Sequence, residues 1–302
     1  MTNCPYLKDD KKCVKLKNIE ITVSNGACIA CESERNKVIT ERVINHLTEA
    51  LYDFKMDNIV GVFLQGSQNY RLEIPGSDVD TKLIVTPSFK DLALNNPPVS
   101  TTHVRENDEH TDWKDIRSYV SCFRKQNLNF LEILFTDFFY VNPTYSNEWE
   151  RLVKEREAIA HMNPYRAVKS MKGIALEKYH AMEHRYPSKI AIIDEYGYDP
   201  KQVSHLVRVR DYIERYLEGE TYENCLIPSE KYFDLIMELK KCQYNLDKAR
   251  EIAKEHLACV EEMADKFCAK TEDKEDPNMR DLLQDVSYNI MKISVEKELK
   301  NG

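Results

Sequence analysis

Residues 64–85 read LQGSQNYRLEIPGSDVDTKLIV. In the second half, "DVDTKLIV", the side chains alternate. Asp78, Asp80 and Lys82 fall on one face of a strand, and Val79, Thr81, Leu83 and Val85 fall on the other. The first residues close a different signal, the apolar and β-branched run "NIVGVFLQ" over 58–65, which suits a buried strand. The two strand signals flank a polar segment that opens on Gly66 and Ser67.

Helical patterns surround these strands. Ile39, Val43, Ile44, Leu47 and Leu51 form one predicted helical stripe, and Ile116, Tyr119, Val120 and Phe123 another. "FLEILF" and "DFFYVN" continue the apolar core of this region. Beyond about residue 145 the chain reads almost wholly helical, broken at "NPYRA", "RYPSK" and "YGYDP". The predicted class is therefore α+β. A polar, cysteine-bearing segment (1–32) precedes a mixed domain (33–145) and an all-helical domain (146–302).

The 302 residues, 42% hydrophobic, can bury a sizeable core. No stretch approaches the roughly 18 apolar residues of a membrane span, and the N-terminus lacks a signal-peptide h-region. A cytoplasmic location with no membrane partner is expected. The net charge of −8 argues against broad wrapping of nucleic acid but leaves room for a local basic groove.

Two carboxylates two residues apart on a strand lie about 6.5–7 Å apart at Cα and repel unless a cation sits between them. Aspartate oxygens suit Mg²⁺ or Mn²⁺, so Asp78 and Asp80 are expected to recruit a divalent metal for chemistry at phosphorus. Gly66 and Ser67 supply the complementary half. Ser67 is expected to cap a short helix, "QNYRL", and backbone N–H groups at such a turn attract phosphate oxygens. Gly66 would allow a close approach of the backbone.

Gly-Ser, ten intervening residues and Asp-x-Asp resembles the signature of the DNA polymerase β-like nucleotidyltransferase superfamily. Within it, "GSQNYRLEIPGSDVDTKLI" followed by "IRSYVSCFRKQNLNFLEILF" looks most like the predicted nucleotidyltransferases of a bacterial and phage RNA-repair pathway. The resemblance covers residues 60–145. It implies a small mixed sheet backed by helices, and transfer of a nucleoside monophosphate from an NTP, with ATP expected, to a hydroxyl. It assigns the first two acids to Asp78 and Asp80 and the phosphate-binding pair to Gly66 and Ser67. Arg71 stands where many relatives have glycine and is a further candidate phosphate contact. The third acid, which activates the attacking hydroxyl, falls near His110 in "NDEHTDWKDIRSY". Asp112 is the favoured candidate and Glu109 the alternative.

In the helical half, "GYDPKQVSHLVRVRDYIERYLEG" begins with Asp199 as a predicted N-cap and Pro200 at the first helical position. Lys201, His205, Arg208 and Tyr212 form a polar stripe that could face phosphates, against the alternative of a solvated helix face. "SMKGIALEKYHAMEH", with Lys172, Lys178 and His180, is a weaker candidate.

Cys4, Cys13, Cys28 and Cys31 form a C-x8-C…C-x2-C arrangement, which suits a structural Zn²⁺ or four reduced thiols. The sequence thus supports a nucleotidyltransferase acting on RNA, protein or a small molecule. The competing reading is a catalytically silent nucleotide-binding or interaction module of the same fold.

Overall fold

The structure is a computed structural model. It describes residues 29–301 and two paired two-residue strands, Leu7–Lys8 and Lys12–Cys13, with side chains described from residue 34 to residue 300. The expected zinc set of Cys4, Cys13, Cys28 and Cys31 lies outside the residues whose side chains are described.

Helix α1 (Ile29–Ala50) buries Ile39, Val43, Leu47 and Ala50, which recur at helical spacing on one face. Ile44 and Leu51, expected on that stripe, are 41% and 40% exposed. At 3.6 residues per turn Ile44 is rotated about 140° from Ile39, outside the contact face, and Leu51 lies past the helix end in the turn that follows Ala50.

Under α1 lies a five-stranded mixed sheet made of β1 (Ile59–Gln65), β2 (Asp80–Val85), β3 (Ser100–Val104), β4 (His110–Asp115) and β5 (Phe139–Val141), in the spatial order β3-β4-β2-β1-β5. β2 and β4 run parallel, and every other neighbouring pair is antiparallel. β1 is an interior strand, paired on both edges and covered on both faces, which explains its unbroken apolar run.

The pleat of β2 divides two cores. Leu83 and Val85 face back, with Val79, Val62, Leu64 and Trp113, against α1. Ile84 faces forward with Val60 and Phe63 into the larger core. Each fully buried aliphatic or phenyl side chain contributes about 1.5–3 kcal/mol of transfer free energy. The forward core takes Ile116, Tyr119 and Phe123 from α2 (Ile116–Arg124), which Asp115 caps through the Arg117 N–H. It then runs without a break into the helical half.

That half contains α3 (Pro164–Ala181), α4 (Pro200–Leu217), α5 (Glu230–Lys240), α6 (Leu246–Cys268) and α7 (Pro277–Asn301), besides shorter helices. α4 packs against α3, α5 and α6, and it buries Val203, Leu206, Val207 and Ile213. Its start is the one the sequence predicts: the Asp199 carboxylate accepts the Lys201 N–H at 3.0 Å, and Pro200 opens the helix. α7 returns to the sheet, where the Ser294 and Thr86 hydroxyls lie 2.7 Å apart. Among the described residues, no helix is long and apolar enough to cross a membrane.

Candidate active site

The register of the sheet brings the acids together. Lys82 pairs with Asp112 across the parallel β2–β4 ladder, and Asp80 pairs with Gln65, the last residue of β1. Side chains two apart share a face, so Asp80, Lys82, His110 and Asp112 all point to the front. The chain leaves β1 at Gly66, whose φ of 81° is a left-handed conformation open to glycine, and enters the five-residue 3₁₀ turn Gly66–Tyr70. Gln65 occupies the N-cap position and no side chain caps the turn. Ser67 therefore sits inside the turn and does not cap a "QNYRL" helix. The expected helix gives way to a tighter turn because only five residues separate β1 from the left-handed Arg71, at φ 57°.

The turn, the acids and the face of α4 surround one cleft of about 320 Å³. Gly66 and Ser67 line it, as do Asp78, Asp80 and Asp112, and α4 contributes Lys201, His205 and Arg208. Arg71 is exposed and does not line it. Lys172 and Lys178 do not line it and pair with Asp265 at 2.7 Å and Glu177 at 2.9 Å, while His180 packs edge-on against Tyr179.

The alternatives for the third acid separate cleanly in space. Glu109 is buried, 3.0 Å from His46 Nε2 and 3.2 Å from Arg42 Nε, both on α1. Asp112 lines the cleft, with Oδ1 accepting from the Thr102 hydroxyl at 2.7 Å and Oδ2 3.6 Å from Lys82 Nζ. His110 lends Asp80 its backbone N–H at 2.8 Å.

Burial, and next the charge of Asp78, push the Asp80 carboxyl above its ordinary range, while the His110 N–H opposes the rise. Among the described residues, no three His, Cys, Asp or Glu side chains are grouped to hold a metal ion. An oxygen pair of this kind suits an ion that completes its shell with substrate phosphates and water.

Opposite the acids lies a buried cation. Arg208 is 3% exposed, with its guanidinium stacked 3.5 Å from the centre of the Tyr70 ring. Nη1 donates to His205 Nε2 at 3.3 Å, while Nε and Nη2 have no hydrogen-bond partner. His205 accepts as a neutral imidazole, because burial and the surrounding cations Arg208, Lys178, Lys201 and Lys240 hold its pKa well below the ordinary value. Buried N–H groups without partners are costly, which marks this edge of Arg208 as a place for an acceptor.

Three cleft residues were missed in the sequence. Lys82 had been placed on the acid face without a role. It is 3% exposed, donates to Gln65 Oε1 and lies 4.8 Å from the Phe130 ring centre. Burial pulls its pKa down to about 8 against the pull of Asp112. Glu132 is also 3% exposed, and burial raises its carboxyl to about 8 although Arg208 and the Gly66 N–H oppose this. A lone acid inside the apolar run "FLEILF" was the available signal. Lys240 donates to the Leu72 carbonyl, and burial followed by the charge of Lys201 lowers its pKa to about 8. Nothing in the local sequence of α5 distinguishes it from a surface lysine.

No protein-family model and no curated protein matches the chain. Among solved structures it is similar to a nucleotidyltransferase-like protein from Exiguobacterium sibiricum 255-15, at 10% identity and a TM-score of 0.29. The match covers 75% of this chain and 74% of that one.

Proposed function

We propose that the protein is a metal-dependent nucleotidyltransferase that moves a nucleoside monophosphate from an NTP to a hydroxyl acceptor. ATP is the expected donor, and RNA is the acceptor that the family resemblance implies. The carrying observation is that Asp78, Asp80 and Arg208, whose Nε and Nη2 have no hydrogen-bond partner, line one cleft. A polyphosphate bridged to a divalent ion satisfies both sides at once.

Asp78 and Asp80 would hold Mg²⁺ or Mn²⁺. The fit is supported by their oxygen-only donor set and by the effect of Asp78 on Asp80, a repulsion that a cation relieves. The ion, when bound, supplies charge neutralisation at the transferring phosphate.

The chain's own groups do the rest. Arg208 donates its free N–H groups to phosphate oxygens, Lys201 adds positive charge at the mouth, and neutral His205 holds Arg208 Nη1 in place. Asp112 accepts the proton of the acceptor hydroxyl, with Thr102 fixing one of its oxygens and Lys82 beside the other. The hydroxyl oxygen bonds to the α-phosphorus, the bond from that phosphorus to the bridging oxygen breaks, and pyrophosphate leaves. Positioning and fixed charge account for the rate, with no covalent enzyme intermediate.

The test is to incubate the protein with each α-labelled NTP, Mg²⁺ and RNA, and to follow the label. Transfer by the wild type, with no transfer by a folded Asp80→Asn variant, is the expected result. NTP binding without transfer under any condition would replace the enzyme with a nucleotide-binding module.

A further inference from the structure

Beside the cleft, and sharing Ser67, Asp78, Lys201 and Lys240 with it, lies a second basin of about 660 Å³. Residues 74–78, the turn before β4 and residues 188–192 complete its walls. Resting on the nucleotidyltransferase reading, we propose that this basin seats the acceptor, and that the acceptor carries a phosphate close to its reactive hydroxyl.

Charge carries the argument. Lys189, Lys201 and Lys240 all line the basin, and among the described residues none of them has an ion-pair partner. A neighbouring surface cation does find a carboxylate: Arg185 lies 2.7 Å from Asp194. In a chain with 51 acids and 43 lysines and arginines, three unpaired lysines around one hollow form a local excess that an anion satisfies. Lys240 shows the strain of this grouping, since the charge of Lys201 adds to burial in lowering its pKa. His110 also lines the basin, and Asp78 and Asp108 are the acids that face it. Asp78 is engaged by metal in the present reading.

The lining residues divide between two anions. Arg208 and His205 line the cleft alone, Lys189 lines the basin alone, and Lys201 and Lys240 stand between them. A donor triphosphate held by Arg208 therefore leaves Lys189 and Lys240 for a second phosphate, with Asp78 at the junction. The basin volume falls within the ~300–1,000 Å³ typical of small-ligand sites, which accommodates a mononucleotide or the end of a single strand. An oligonucleotide end and a free mononucleotide present the same chemistry, and the experiment tells them apart.

The test measures binding of three probes to the full chain carrying Asp80→Asn, without NTP. These are a labelled single-stranded oligoribonucleotide with a free 3′-hydroxyl, a labelled nucleoside monophosphate and the corresponding phosphate-free nucleoside. At about 0.15 M salt, Lys189→Glu should weaken the phosphate-bearing probe about tenfold or more. Affinity for a non-hydrolysable NTP should stay unchanged, and the nucleoside should not bind. Preference for the oligonucleotide identifies a nucleic-acid end, and equal affinity identifies a small phosphorylated acceptor. Wild-type affinity in both Lys189→Glu and Lys240→Met, or binding of neither phosphate-bearing probe, overturns the proposal. Lys189-dependent binding in a protein that binds no NTP would keep the basin and reject the nucleotidyltransferase reading.

Discussion

Replacing Glu132 with glutamine should remove a defined part of the protein's stability–pH profile. The carboxyl is 3% exposed, its Oε2 has no hydrogen-bond partner, and burial lifts its pKa from 4.5 to about 8. Between those values the folded state keeps a proton that the unfolded state gives up. The associated stability is fully present below the unfolded pKa and is lost as pH rises toward 8. At about 1.4 kcal/mol per pH unit, the whole interval corresponds to about 5 kcal/mol. Water entering the open cleft lowers this, so a loss of about 2–3 kcal/mol is expected between pH 5 and 8. His205 works in the opposite direction, because its depressed pKa makes stability rise with pH up to about 6.5. Lys82, 4.0 Å from Glu132, has a pKa lowered to about 8, so its contribution grows only above that pH. Glutamine keeps the shape of the side chain and leaves both neighbours in place, so subtracting the two profiles isolates Glu132. Urea unfolding at pH 5, 6, 7 and 8 without nucleotide should show Glu132→Gln gaining about 2–3 kcal/mol on the wild type across the series. Parallel profiles would refute a neutral buried carboxyl at this position.

Three further substitutions test separate parts of the argument. Gly66→Ala places a Cβ in open space, so its cost is the left-handed backbone alone, about 1–2 kcal/mol by urea unfolding; a neutral result would show that φ 81° is not required. Asp115→Ala removes a buried cap that accepts the Arg117 N–H at 2.8 Å and its guanidinium at 2.6 Å, and should cost about 1–3 kcal/mol; an unchanged urea midpoint would mean that α2 does not depend on it. Arg208→Met exchanges an incompletely paired buried cation for an apolar side chain. Calorimetry should show a stability change of less than about 1 kcal/mol, together with at least a tenfold weaker NTP-analogue affinity. A stability loss of several kcal/mol with unchanged affinity in the protein that remains folded would reassign Arg208 from ligand to scaffold.

What the sequence made legible follows the range of the interactions involved. Alternation along 79–85 is a local signal, and it correctly separates Leu83 and Val85, packed under α1, from Asp80 and Lys82 in the cleft. The Asp199–Pro200 start is equally local, because a cap bonds two residues ahead. The α1 stripe was half legible, since apolar type alone does not say which rotation about the helix meets the sheet, and Ile44 and Leu51 ended outside it. The sequence favours Asp112 but leaves Glu109 open, because the choice depends on pleat parity, which one residue of offset reverses. Glu132 and Lys240 are further removed still. Each becomes a cleft residue only when elements distant in sequence pack together; Glu132 shows as a lone acid in an apolar run, and Lys240 carries no local pattern at all.

The opposite face of the sheet suggests how the acids are held at their spacing. Behind the cleft, Arg105 Nη1 donates to Thr111 Oγ1 at 2.8 Å, and the Thr111 and Thr81 hydroxyls lie 3.0 Å apart. Thr81 meets His46 Nδ1 at 2.9 Å, and His46 Nε2 meets Glu109 at 3.0 Å. Burial, the largest influence, lowers the His46 pKa, so a neutral ring donates to Glu109 and accepts from Thr81, and every hydroxyl in the chain then has a donor and an acceptor role. Thr81 lies between Asp80 and Lys82 on β2, and Thr111 lies between His110 and Asp112 on β4, directly across the ladder. Slipping either strand by one residue would break these bonds and turn the cleft acids toward the apolar rear core. The rear network and the front carboxylates are therefore two consequences of one register. The spacing of Asp80 on β2 from Asp112 on β4 is thus held by bonds that lie on the other side of the sheet and take no acceptor or donor from the cleft.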